Sequence, residues 1–220
     1  QNRLFQVSKS GKTKEKSYPS KPFITSTLQQ SAQNELGMSV KTTMDAAQRL
    51  YEGGHITYMR TDSTFISEEF QGLLLTHITE KFGTGYYQKP NEKKVKGAQE
   101  AHEAIRPTKI DTLPELDGYE KRLYSLILKR TITSHMKPAI YDVYKLSLET
   151  EETKVFGRFI AKYKILTYKG FLSYTSSEPL KSETMTFSQE YRLLSCTSSE
   201  KEDTRPQLYN ESAIVKLLED

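Results

Sequence analysis

The feature that most constrains this chain is a change of hydrophobic period near residue 138. From Thr25 to about Lys137, apolar residues recur at helical spacing between sharp glycine breaks. From Pro138 to about Thr204, β-branched and aromatic residues take over and alternate. One stretch asks for helices that bury a stripe, the other for strands that bury a face, so two structural units are expected.

In the helical stretch, Ser26 and Thr27 stand where a cap is needed, Leu28, Ala32 and Leu36 share a face, and Gly37 ends the run. Ser39 caps the next helix, along which Val40, Thr43, Met44, Ala47, Leu50 and Tyr51 repeat until Gly53 and Gly54 stop it. Two short helices, a tight turn and then "HITYM" read as a helix-turn-helix followed by a strand, a layout frequent in nucleic-acid-binding proteins. Ser67 caps a third helix that closes at Gly83, and Asp117 caps a long one running to about His135 before Pro138. Beyond it, "AIYDVYKLSLET", "VFGRFIAKYKILTYKG" and "SETMTFSQEYRLLSCTS" read as strands. The N-terminal "RLFQVSK" alternates too and is a candidate to complete the same sheet. The expected fold is α+β: a helical domain at 20–137 inserted into a mostly antiparallel β domain formed by 1–19 with 138–204. Residues 205–220, with Asn210 as cap and Ile214, Val215, Leu217 and Leu218 as apolar face, are expected to begin a further helical unit.

Composition excludes several classes. A single cysteine, Cys196, permits neither an intrachain disulfide nor a cysteine-based zinc site and suits a reducing, cytoplasmic compartment. The longest apolar runs, Leu73 to Leu75 and Leu126 to Leu128, are far too short to cross a bilayer, so no membrane partner is expected. Gln1 at the start and "KLLED" breaking off inside a helical pattern suggest that the natural chain extends past both ends. The net charge is only +4, but basic residues gather at Lys9 to Lys21 and at Lys89 to Lys96. Both runs read first as solvated loops and second as places to meet phosphate.

Chemistry concentrates in "YMRTDS", Tyr58 to Ser63. A phenol with a pKa of about 10 is a poor nucleophile at neutral pH and needs a cation or a base beside it. Arg60 brings a permanent cation, and on a strand it falls on the same side as Tyr58. Asp62, next on that side, is placed to orient Arg60. On spacing alone, the favoured reading is a surface strand whose Arg and Asp form a weak ion pair. The second constellation is "AHEAIRPT", Ala101 to Thr108. His102 can donate to a phosphate oxygen, and Arg106 lies on its side if the segment makes one helical turn before Pro107. His55 and His135 read as structural or exposed, and His77 as a wall residue of its helix.

The run "PFITSTLQQSAQNELGMSVKTTMDAAQRLYEGGHITYMRTDST", followed by "QEAHEAIRPT", closely resembles the central part of type IA DNA topoisomerases, nearer the bacterial topoisomerase I branch than the topoisomerase III branch. "MKPAIYD" and "RPQLYNESAIVKLLED" extend the resemblance; the β region between them matches only in character. The resemblance implies that Tyr58 forms a 5′-phosphotyrosyl bond to one DNA strand. It implies that Arg60 contacts phosphate and transition state, and that His102 hydrogen bonds within the assembled site. Glu52, Thr61, Asp62, Ser63 and Arg106 lie in the matched motifs as supporting or DNA-contacting residues. The family's partner for this tyrosine is a Toprim domain with a catalytic Glu, a Lys and a DxDxE-type cluster for Mg²⁺, and none of those patterns occurs in this sequence. The resemblance therefore implies a fragment that binds no metal itself, docks against the Toprim domain of its own longer chain, and acts on single-stranded or negatively supercoiled DNA in the bacterial nucleoid. A non-catalytic nucleic-acid-binding module is the alternative, and reverse gyrase shares the same core. A tyrosine recombinase or type IB enzyme sets its tyrosine near the C-terminal end, whereas Tyr58 lies in the first third.

Overall fold

The computed structural model describes residues 4–90, 102–151, 158–176, 180, 186–195, 197, 199–200, 202–203 and 208–219. In chain order the elements are β1 (Leu4–Ser17), α1 (Thr25–Leu36), α2 (Val40–Glu52), α3 (Glu68–Phe82) and α4 (Gly118–Ser134), then β2 (Ala139–Glu149) and β3 (Phe159–Tyr168). A 3-10 turn at Gly170–Tyr174, β4 (Glu190–Arg192) and α5 (Glu211–Glu219) complete them. The fold is α+β, with helices and a four-stranded antiparallel sheet. It divides into two compact units. One comprises Gln1–Tyr18, Pro138–Gly170 and Ser177–Pro206, and the other Pro19–Lys137, Phe171–Ser176 and Gln207–Asp220. No described helix is long and apolar enough to cross a membrane.

The helical unit is built around α4, which buries Leu123, Tyr124, Leu126, Ile127, Leu128 and Ile132. Against it lie α1 through Leu28 and Ala32, and α2 through Ala46, Ala47 and Leu50. Fully burying each large aliphatic side chain contributes about 1.5–3 kcal/mol, so this interior dominates the unit's stability. Tight stops set the angles between helices. Gly37 adopts φ 68°, its N–H donates to the Gln33 carbonyl, and that of Met38 reaches back to Ala32 at 3.2 Å. The left-handed residue ends α1 in a Schellman-type turn and drops Met38 into the core. Ser39 then caps α2, its Oγ accepting from the Thr42 N–H at 3.1 Å. α1 begins one residue ahead of the serine and threonine read as caps: Ile24 occupies the cap position, and the Thr27 hydroxyl accepts its N–H at 3.0 Å. Ser67 and Asp117 stand at their cap positions without a side-chain cap bond. α5 lies on α1, and the Glu211 carboxylate accepts the Val40 N–H at 2.8 Å. The Asn210 side chain caps α5 through the Ala213 N–H at 2.8 Å.

The sheet runs β3-β2-β1-β4. β1 pairs with β2 from Ser17 opposite Ala139 to Gln6 opposite Glu149, with a bulge between Val7 and Lys9. The basic run read as a loop is therefore mostly strand: Lys9, Lys12, Lys14 and Lys16 all lie in β1, because a second strand satisfies its backbone groups regardless of side-chain charge. Lys12 pairs with Asp142 at 2.7 Å, and Glu15 accepts from Lys164. The bulge puts Phe5 and Val7 on the face carrying Tyr144, Leu146 and Leu148, where Phe5 meets Phe159 edge-on at 5.4 Å. Of the last expected strand only Glu190–Arg192 forms among the described residues, and its start at 182–185 lies outside them. The basic loop expected from Gln88 to Gly97 likewise lies outside the described residues from 91 onward.

Candidate active site

Three segments of the helical unit interlace to present the polar motifs. Phe23 bridges Ile105, with the Ile105 N–H donating to the Phe23 carbonyl at 2.9 Å, and Ile56 bridges Pro107. Phe23, Ile56, Met59, Ile66, Ala104 and Ile105 are buried beneath. "HITYM" consequently forms no strand of a sheet. Among the described residues its one β-bridge is at Ile56, opposite Pro107, which has no N–H to continue a ladder. "AHEAIRPT" likewise makes no helical turn among its described residues, because Ile105 and Pro107 are held extended by Phe23 and Ile56.

Two threonine hydroxyls fix the segment around Tyr58. Thr25, first residue of α1, donates through Oγ1 to the Met59 carbonyl at 2.8 Å and accepts the Thr61 N–H at 2.9 Å. Its own N–H donates to the Thr61 carbonyl at 2.9 Å. Thr57 donates through Oγ1 to the Ala104 carbonyl at 2.7 Å and accepts the Arg106 N–H at 3.0 Å. Between these ties exposure alternates: Met59 and Thr61 point inward, while Tyr58, Arg60 and Asp62 are exposed. Neither Thr25 nor Thr57 stands out in the sequence. The only available signal was their position, one at a helix start and one beside the tyrosine.

Tyr58 is 43% exposed, its ring packed edge-on against Tyr51 of α2 at 5.2 Å between centroids. Beside it, Arg60, Thr61, Asp62 and His102 line an open cleft of about 420 Å³, together with Thr25, Ser26 and Gln29 of α1. Tyr58 is not among the residues lining that cleft. No ion pair joins Arg60 to Asp62 among the described residues. Thr61 Oγ1 accepts the Ser63 N–H at 3.1 Å, and Ser63 Oγ accepts the Phe65 N–H at 3.1 Å, so both hydroxyls shape the turn. Glu52, the last residue of α2, is exposed and accepts from Gln48 at 2.6 Å.

Arg106 sits apart from His102. Its guanidinium pairs with Glu103, donates to the Pro107 carbonyl at 3.0 Å and stacks on the Phe70 ring at 3.9 Å. Partial burial raises the Glu103 carboxyl, but hydrogen bonds from Ser67 and the Arg106 charge outweigh it and hold the group below the usual carboxylate range. His135, wholly buried at the end of α4, has its pKa pushed down to about 4 by burial, against a hydrogen bond to the Thr131 carbonyl. Among the described residues no group of three or more His, Cys, Asp or Glu is placed to hold a metal ion.

The family model described as DNA topoisomerase matches residues 1–220. DNA topoisomerase 1 of Haemophilus influenzae is 42% identical over 214 residues, covering 92% of this chain and 24% of that protein. The Pseudomonas aeruginosa enzyme of the same name is 40% identical over 216 residues, with the same coverage. Among solved structures, full-length topoisomerase I from Thermotoga maritima superimposes with a TM-score of 0.78 at 33% identity, covering 98% of this chain and 37% of that one. The chain belongs to the DNA topoisomerase family, in its type IA branch, and spans about a quarter of the length of the curated relatives it matches.

Proposed function

We propose that this chain is the tyrosine-bearing part of an enzyme that relaxes negatively supercoiled DNA by transient cleavage of one strand, with Tyr58 as nucleophile. The observation that carries the reading is the exposed run of Tyr58, Arg60 and Asp62 beside His102, on a segment held rigidly by Thr25 and Thr57. The Tyr58 oxygen attacks the phosphorus of a phosphodiester, an O–P bond forms, and the bond to the 3′ oxygen breaks. The departing 3′ oxygen takes up a proton as the phenol gives one up. One diester is exchanged for another, so the cut is reversible: the 3′ hydroxyl attacks the phosphotyrosine and reseals the strand without an external energy source.

Arg60 faces two phosphate oxygens with its planar fork and stabilises the charge that builds during attack. His102 donates a hydrogen bond to a phosphate oxygen from the cleft wall. Thr61 and Ser63 hold the turn, and Asp62 and Glu52 supply the exposed carboxylates on either side. The described residues offer no cluster of His, Cys, Asp or Glu fit to hold a metal ion. Mg²⁺ is assigned to the Toprim domain of the complete protein, which is also the partner that closes the site over Tyr58. The fragment alone is accordingly expected not to relax DNA.

The test uses the complete enzyme and single-stranded DNA labelled at its 3′ end. Cleavage through a 5′-phosphotyrosine leaves the label on the denatured protein. Tyr58→Phe keeps the ring against Tyr51 and should abolish trapping. Arg60→Lys keeps the charge but loses the fork, and cleavage should drop by roughly 10²-fold while DNA binding survives. Label still trapped by Tyr58→Phe would move the nucleophile to another residue.

A further inference from the structure

The sheet unit carries a second, separate recess that the chemistry above does not use. Register places Lys9 opposite Ser147 and Ser147 opposite Ile160, and in the next row Gly11 opposite Lys145. Paired residues of antiparallel strands point to the same face, so Lys9, Gly11, Lys145, Ser147 and Ile160 share one side of the sheet. With Arg158 they line a cleft of about 260 Å³. Gly11 leaves it open, since nothing lies within 4 Å of where a Cβ would stand. Lys9 and Lys145 are exposed and have no ion-pair partner among the described residues, while Arg158 reaches Glu149 only at 3.9 Å. Among the described residues no carboxylate lines the cleft. The Ser147 hydroxyl is buried, with the residue 8% exposed, and has no hydrogen-bond partner among the described residues. A buried hydroxyl without a partner is unfavourable by about 1–3 kcal/mol, so it favours a ligand that brings an acceptor.

We propose that this face of the sheet is a second strand-binding site, in which Lys9, Lys145 and Arg158 hold phosphates of a single nucleic-acid strand and Ser147 donates to one of them. Lys9 and Lys145 stand in adjacent rows, about 7 Å apart along the strand direction, a spacing comparable to that of successive phosphates in an extended strand. The aliphatic stems and Ile160 give the sugar an apolar wall. The choice of DNA as the polyanion rests on the proposed function.

The experiment follows binding of a fluorescent single-stranded oligonucleotide to this chain by anisotropy over a range of salt concentrations. The variant Lys9→Gln/Lys145→Gln is compared with Lys14→Gln/Lys16→Gln, which removes equal charge from the opposite face of β1. Two lost phosphate contacts should lower the magnitude of the salt slope by about 1.4 and weaken binding roughly five- to tenfold, with the control changing far less. Ser147→Ala should weaken binding by a smaller factor at unchanged slope. Competition by millimolar inorganic phosphate that relieves only the unmodified chain's dependence on Lys9 and Lys145, with no oligonucleotide contribution, would assign the site to free phosphate and overturn the proposal. Equal losses in both double variants would reduce the effect to net charge and overturn it too. In the complete enzyme, trapping of 3′-labelled DNA at Tyr58 reports separately on the proposed function. Intact trapping with an unchanged salt slope sinks the sheet site alone, and absent trapping with the expected slope change sinks the cleavage reading alone.

Discussion

Replacing Thr25 by valine isolates what holds Tyr58 and Arg60 in place. Valine matches threonine in shape, so packing at the start of α1 is retained and only the hydroxyl is lost. That hydroxyl donates to the Met59 carbonyl at 2.8 Å and is the acceptor for the N–H of Thr61, a residue only 7% exposed. Leaving that N–H unpaired costs about 1–3 kcal/mol, and loss of the bond to Met59 adds about 0.5–1.5 kcal/mol. The expected destabilisation of the helical unit is therefore about 3 kcal/mol. Urea unfolding followed by circular dichroism at 222 nm, which reports the helices, measures it. Thr25→Ser keeps both hydrogen bonds and should lose about 1 kcal/mol or less, the share of one methyl. In the complete enzyme the valine variant should also lose more cleavage than DNA binding, because the segment carrying Arg60 loosens while its charges remain. If valine and serine cost the same, the hydroxyl is not the anchor and the positioning argument fails.

Arg106 is expected to act on stability rather than on DNA affinity. Arg106→Met removes the charge partner of Glu103 and should cost on the order of 3 kcal/mol in urea unfolding, with the salt slope of DNA binding unchanged; a slope smaller by about 0.7 would instead mark Arg106 as a phosphate contact. His135 makes the helical unit acid-sensitive in a defined window. Its pKa falls from 6.5 unfolded to about 4 folded, so the unfolded chain binds the extra proton between those values and stability declines as pH drops through them. The full span is worth roughly 3 kcal/mol, of which about 2 kcal/mol should be lost between pH 7 and about pH 4.5. The check is the difference in unfolding free energy between the unmodified chain and His135→Asn at both pH values, which cancels the other titrating groups; a difference independent of pH would show that His135 is not held neutral.

The helices were legible because their causes are local. Apolar spacing, Ser39 at a cap and glycine at 37, 53 and 83 act within one or two turns, and α1 to α4 lie close to where the spacing puts them. The alternating exposure of Tyr58, Arg60 and Asp62 also follows from sequence, since Met59 and Thr61 between them are suited to face inward. What the sequence left undecided depends on partners far along the chain. Whether "HITYM" joins a sheet turns on what lies beside it, and that neighbour is a segment some fifty residues later whose Pro107 ends the pairing after one bridge. Charge alone did not tell Lys9 to Lys16 from a loop, because β2, more than a hundred residues away, satisfies the backbone. Arg106 looks like Arg60 in sequence, yet Glu103 and Phe70 enclose one guanidinium while the other faces the cleft with His102. Side-chain identity sets what a residue is able to bind. Only tertiary contact decides whether the protein itself has already taken that capacity, because hydrogen bonds, stacking and desolvation act over a few ångströms in space and not along the chain.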